Sequence, residues 1–139
     1  MSYLLDTTVL VDLGRRYPPT WRWFTAQERQ EFHIASVTVG ELFRGVYQRH
    51  GSDAAALADV LREIRDGLLG LLTTDVLPSD AEAAEIWGRI MGEGAARGRT
   101  PPSDDAKIAA IAIRHGLTVA TSNTRDFAPL VATVDPRTA

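Results

Sequence analysis

The chain has 139 residues, 45% of them hydrophobic, which suits one domain with one real core. A net charge of −3 gives no global positive field and excludes a passive, non-specific coat for nucleic acid, though not an enzyme that holds RNA locally. The absence of cysteine excludes disulfides, thiolate zinc sites and cysteine nucleophiles. Among the 15 basic residues only Lys107 is a lysine, and arginine offers a planar fork suited to phosphates. The N-terminus lacks the pattern of a signal peptide, and no run of about 18 apolar residues occurs, so no membrane span and a cytoplasmic location are expected.

In chain order, Ser2-Tyr3-Leu4-Leu5 reads as a short buried strand that stops at Asp6. A short helix over residues 7–13 ends near Gly14. Pro18 and Pro19 open a second helix, residues 20–30, carrying Trp21, Trp23 and Phe24. Residues 32–35 form a second strand, and Ser36 caps a helix over 37–49. After Gly51-Ser52, residues 53–71 form a long amphipathic helix with Leu57, Val60, Leu61, Ile64 and Leu68 on one stripe. Residues 73–77 are a third strand, ended by Pro78. Ser79 caps a helix reaching Ala96, with Ile86, Trp87, Ile90 and Met91 facing inward. Past a polar loop over 97–102, Ser103 caps a helix over 104–115 that Gly116 ends. A fourth strand over 117–121, a loop with one helical turn over 123–130 and a fifth strand over 131–134 complete the chain. Alternating strands and helices imply a mostly parallel sheet covered on both faces.

The informative carboxylates lie at strand ends and early in helices. Asp6 closes the first strand, and in open α/β sheets ligand sites form outside the carboxyl ends of strands. Glu41 lies near the start of the helix after the second strand, among the apolar Val39, Leu42, Phe43 and Val46. Asp105 shares a helix face with Ile108, Ala109 and Ala112. Asp126 lies just past the fourth strand, three residues after Asn123. Each has an ordinary alternative: Asp6 as a helix cap, Glu41, Asp104 and Asp105 as complements to positive helix ends, Asp126 as a turn residue. As a set they suggest more. Two carboxylates about 5 Å apart repel by roughly 3 kcal/mol at an effective dielectric of 20. Four gathered together persist only if protons, arginines or a divalent cation offset that repulsion. Oxygen-only ligands favour Mg²⁺ or Mn²⁺ over zinc, and the chemistry would be phosphodiester hydrolysis. Thr7, Thr121 and Asn123 are placed to support such a site.

These segments resemble the PIN-domain ribonucleases, and most closely the VapC-type toxins of bacterial toxin–antitoxin pairs. The matching stretches are Leu5-Asp6-Thr7-Thr8-Val9, then Ala35-Ser36-Val37-Thr38-Val39-Gly40-Glu41-Leu42 with Arg44-Gly45. They continue with Asp105-Ala106-Lys107-Ile108-Ala109-Ala110, His115 through Asn123, and Arg125-Asp126-Phe127. The resemblance implies a single PIN-like domain over residues 1–139: a three-layer α/β/α sandwich with a parallel, roughly five-stranded sheet. It also implies a Mg²⁺- or Mn²⁺-dependent endoribonuclease, inhibited by a small antitoxin protein and commonly a homodimer. Asp6, Glu41 and Asp105 fall on the family's acidic positions. The fourth acid stands in relatives where either Asn123 or Asp126 stands here; only Asp126 is acidic, so it takes the role and Asn123 supports it. Thr8 replaces an asparagine often found after Asp-Thr.

Arg15, Arg16, Arg44 and Arg125 are candidates to hold RNA phosphates, against a reading as solvated surface. Trp21, Trp23 and Phe24 either pack their helix or line a groove for an antitoxin helix. His33, His50 and His115 lack metal-ligand spacing, and Gly92-Glu93-Gly94 departs from the dinucleotide fingerprint because Arg97 occupies its third glycine position. The rival functions are a non-catalytic regulatory binding module on the same fold and a metal-dependent DNA nuclease or phosphatase.

Overall fold

The first strand, Tyr3–Leu5 (β1), is buried at all three residues and forms the middle of a five-stranded parallel sheet. The computed structural model describes residues 1–71 and 76–139. The partners of β1 are Phe32–Ala35 (β2), with Tyr3 opposite Phe32, and Thr118–Ala120 (β4), with Leu5 opposite Ala120. Val76–Leu77 (β3) and Thr133–Val134 (β5) form the edges. Alternation along β1 and β4 sends side chains to two cores. Leu4 and Val119 join a cluster with Ile90, Ile108, Ile111 and Phe127, whereas Tyr3, Leu5 and Ala120 join Leu10, Leu13, Trp23, Phe24 and Phe32. Rings fill the second core: Phe24 stacks on Phe32 at 4.6 Å and Trp23 meets Tyr3 edge-on at 5.0 Å.

Helices Thr7–Gly14 (α1), Pro18–Thr25 (α2) and Ser36–His50 (α3) follow β1 and β2. Ala54–Arg62 (α4) continues through a π-helical stretch, Glu63–Leu68, into Leu69–Leu71 (α5). Ala81–Ala96 (α6), Ser103–His115 (α7) and the short Thr124–Phe127 (α8) complete the layers. In α7, Ala106 and the run from Ile108 to Ala112 are all buried, because small alanines let α6 and the sheet approach on both sides. Gly116, at φ 66°, ends α7, and Leu117 N–H donates to the Ala112 carbonyl at 2.8 Å.

The α/β/α sandwich expected from the sequence is present, with differences at element ends. The second helix begins at Pro18, where proline's missing N–H costs nothing, and ends at Thr25, whose hydroxyl bonds back to the Trp21 and Arg22 carbonyls. The rest of its expected span holds a separate turn, Arg29–Glu31. Ser36, Ser79 and Ser103 are not caps. Ser36 and Ser103 are already helical, and Asp80 takes the place of Ser79, accepting from Ala83 N–H at 2.9 Å. The long helix over 53–71 starts as expected, with Asp53 accepting from Ala56 N–H, but leaves the α path at Glu63. Gly67 and Gly70 weaken the regular ladder there. Residues 73–75 of the expected third strand lie outside the described residues.

One polar contact ties the chain's two ends together. Asp12, only 4% exposed, receives a two-pronged bond from Arg137, both contacts 2.8 Å, and a third from the Thr20 hydroxyl at 2.8 Å. The Arg137 guanidinium holds the Asp12 carboxyl below the usual carboxylate range. Among the described residues, no helix is long and apolar enough to cross a membrane.

Candidate functional site

The C-terminal edge of the sheet gathers the chain's informative acids. Asp6 follows β1 directly, and its N–H donates to the Ala120 carbonyl at 2.9 Å, so β4 fixes its backbone. Its carbonyl accepts from Val9 and Leu10, which makes it the first residue of the α1 turn, but its side chain caps nothing. Instead the buried carboxylate (5% exposed) accepts the Thr121 hydroxyl at 2.8 Å and the Thr8 hydroxyl at 3.4 Å. Thr8 also accepts the Ser122 N–H at 3.1 Å, pinning the loop after β4 to α1. Sequence alone does not single out Thr8 for this role; its place two residues after Asp6 is the only available signal.

Glu41 stands on α3, half-buried, with Oε2 accepting the Thr7 hydroxyl at 3.3 Å. Its Oε1 is buried and has no hydrogen-bond partner among the described residues. Burial raises the Glu41 carboxyl above its ordinary value, and the charges of Asp6, Asp104 and Asp105 push the same way. Asp105 sits in the first turn of α7. Burial, then the charges of Asp6, Asp126 and Asp104, push its carboxyl up to about 6. Asp126 lies in α8 and is held by the Asn123 side-chain amide at 2.9 Å, while Thr121 Oγ1 accepts the Asn123 N–H at 2.9 Å. Asp104 lies at the surface near Lys107, at 3.9 Å.

Asp6, Glu41, Asp105 and Asp126 thus sense one another electrostatically from four elements. They stand apart, however. Among the described residues no three His, Cys, Asp or Glu side chains are close enough to hold a metal ion as they are placed. The acids expected to form one tight cluster share an edge of the sheet without closing into a ligand cage. The donor set nevertheless suits a hard divalent cation. It is all oxygen, Glu41 Oε1 lacks a partner among the described residues, and two of its carboxyls hold their protons more tightly because they are buried beside negative neighbours. Of the arginines singled out, Arg125 borders Asp126 in a groove at this edge, whereas Arg16 lies over Trp21 in a second groove with Leu13, Ile64 and Leu68. Trp23 and Phe24 are core residues; Trp21 is partly exposed.

The profile of the PIN domain matches residues 3–130. The chain belongs to the PIN-domain family. This PIN-domain protein is 29% identical over 127 residues to the tRNA(fMet)-specific endonuclease VapC of Shigella flexneri, covering 91% of this chain and 90% of that one. Its fold overlays the crystal structure of FitAcB from Neisseria gonorrhoeae with a TM-score of 0.84 and 28% identity, over 96% of this chain and 97% of the other. A toxin–antitoxin complex from Klebsiella pneumoniae is similar at a TM-score of 0.71 and 26% identity, over 97% and 98% of the two chains.

Proposed function

We propose that this PIN-domain chain is a VapC-type toxin: a single-domain endoribonuclease that uses Mg²⁺ or Mn²⁺ and is restrained by a small antitoxin protein. The observation that carries this reading is geometric: the ends of β1 and β4 and the starts of α3 and α7 bring Asp6, Glu41, Asp105 and Asp126 to one edge of the sheet, where burial and the charges of acidic neighbours also push Glu41 and Asp105 upward. Buried carboxylates that disfavour one another's charge are poised for a cation. Asp6, Glu41, Asp105 and Asp126 would hold it. A bound divalent ion supplies Lewis acidity towards a phosphoryl group and water. The Thr121 hydroxyl keeps the Asp6 carboxylate from turning away, and the Asn123 amide does the same for Asp126. One of these carboxylates would also accept the proton that the attacking water gives up. Likeness to a VapC endonuclease and to a solved toxin–antitoxin complex supports the RNA substrate and the protein partner.

The test is cleavage of matched single-stranded RNA and DNA by the full chain, with EDTA and with added Mg²⁺ or Mn²⁺. RNA alone should be cut, EDTA should stop cleavage, and either metal should restore it. Asp6→Asn, folded, should lose at least about 100-fold in rate, close to 3 kcal/mol of barrier stabilisation. Cleavage indifferent to EDTA, or full activity of the folded variant, would overturn the mechanism; cleavage of DNA alone would assign a different nuclease.

A further inference from the structure

The groove that contains Asp126 has a volume of about 680 Å³ and is lined by four arginines, Arg89, Arg97, Arg99 and Arg125. That concentration is unexpected in a chain with net charge −3 and only 15 basic residues. The side chains of Arg89, Arg99 and Arg125 make no hydrogen bond or ion pair among the described residues, and that of Arg97 has only an exposed contact with Glu93 at 3.5 Å. Their guanidinium forks are therefore available to a ligand.

The loop that carries two of them is seated firmly. Gly94 is buried in α6, and a Cβ there would meet the Arg99 carbonyl oxygen at 2.8 Å and Pro101 Cδ at 2.9 Å. Arg99 N–H donates to the Gly94 carbonyl at 2.8 Å, and Arg97 N–H bonds back to Glu93. The backbone of Arg97 and Arg99 is thus packed against a helix, so the cost of ordering it is already met in the free protein.

We propose that this groove is a phosphate track for single-stranded RNA, in which Arg89, Arg97, Arg99 and Arg125 hold backbone phosphates on the Asp126 side of the acidic pocket. The inference rests on the ribonuclease reading and extends it to substrate positioning. A polyanion approaching Asp6, Glu41, Asp105 and Asp126 is repelled by them; a row of arginines beside those acids offsets the repulsion where the strand must lie. These are positioning residues. Phosphate contacts fix the strand's register without reading its sequence, so cleavage preference arises elsewhere.

The test uses the full chain and a fluorescent uridine oligoribonucleotide. The double variant R89Q/R99Q should raise KM about tenfold or more while kcat changes by less than about twofold, because the carboxylates are untouched. The salt dependence of oligonucleotide binding, measured with EDTA so that nothing is cut, should flatten by about 0.7 in log–log slope for each phosphate no longer held. Arg99→Lys should restore much of that slope, since it keeps the charge. Unchanged KM and slope in the folded double variant would overturn the proposal. So would selective loss of binding to a poly-glutamate peptide with RNA binding intact, which would assign the groove to an acidic protein segment. If the parent protein binds the oligonucleotide with the predicted salt slope but cuts no RNA, the ribonuclease reading fails while the track stands.

Discussion

Asp105→Asn is expected to melt higher than the parent protein at about pH 7.5 in EDTA, and to cleave no RNA. The Asp105 carboxyl lies at about 6, raised from an ordinary 3.8 chiefly by burial and then by Asp6, Asp126 and Asp104. A raised carboxyl binds its proton more tightly in the folded chain than in the unfolded one. Its contribution to stability is therefore fully present below pH ~4 and is lost as pH rises through about 6. The ceiling on the resulting penalty at neutral pH is about 3 kcal/mol, and water reaching the half-buried carboxyl brings it lower. Asparagine carries no charge and escapes the penalty. Glu41→Gln should move stability in the same direction, since burial also raises that carboxyl. Mg²⁺ should raise the melting temperature of the parent and not of Asp105→Asn, because the ion stabilises a set that the variant has broken. Thermal melts between about pH 4 and pH 8, with and without Mg²⁺, check this. A variant that melts lower than the parent at neutral pH would show that Asp105 is a stabilising residue rather than a strained one.

Arg137→Met is expected to lower stability by roughly 3 kcal/mol, since it strands a buried carboxylate. Asp12 has a side chain only 6% exposed and depends on Arg137 for two bonds of 2.8 Å; among the described residues only the Thr20 hydroxyl then still donates a side-chain hydrogen bond to it. Here the pH sign is reversed. The Asp12 carboxyl is lowered by the Arg137 bond, so its contribution is present above the ordinary carboxylate value and is lost as pH falls through the lower, folded one. In EDTA the parent should therefore be most stable between the two limbs, at mildly acid pH, and the variant should lose the acid limb. Arg62→Ala is the reference: its contact with Asp59, 3.3 Å with both side chains well exposed, should be worth less than about 1 kcal/mol. Urea unfolding of the three proteins compares them. A loss from Arg137→Met no larger than that from Arg62→Ala would refute the clamp.

Much of the architecture was legible because β1, β2 and β4 are short apolar runs, each followed by a helix signal. Cap identity was not. Ser36, Ser79 and Ser103 all satisfy the residue preference for a cap, yet the helix starts are set by the sheet and by Asp80, which competes one position away. The π-helical stretch after Arg62 was invisible, because the Leu57–Leu68 stripe has the same spacing whichever helix carries it. At the candidate site, strand ends and helix starts pointed to Asp6, Glu41, Asp105 and Asp126 one at a time. Sequence could not say how far apart they stand, nor that Thr8 would pin the loop after β4. The arginine groove needed the fold as well, since Arg89 on α6 and Arg125 on α8 come together only through the packing of α6 against α7. The Asp12–Arg137 clamp spans 125 residues and left no local trace.

The pairing of β1 with β4 also bears on timing. Asp6 and the Thr121 hydroxyl that steadies it are separated by 115 positions, and Asp126 is made later still. On the ribonuclease reading proposed above, a polypeptide still threading out of the ribosome carries Asp6, Glu41 and then Asp105 before the Thr121 hydroxyl that steadies Asp6 and before Asp126, and should leave the messenger uncut. Stalled nascent chains that end at Gly116 should cut no RNA, whereas full-length chains released from the same ribosomes should; activity in the stalled chains would mean that the pocket forms without β4. On that reading, the order in which the strands are made delays cleavage until β4 has been synthesised.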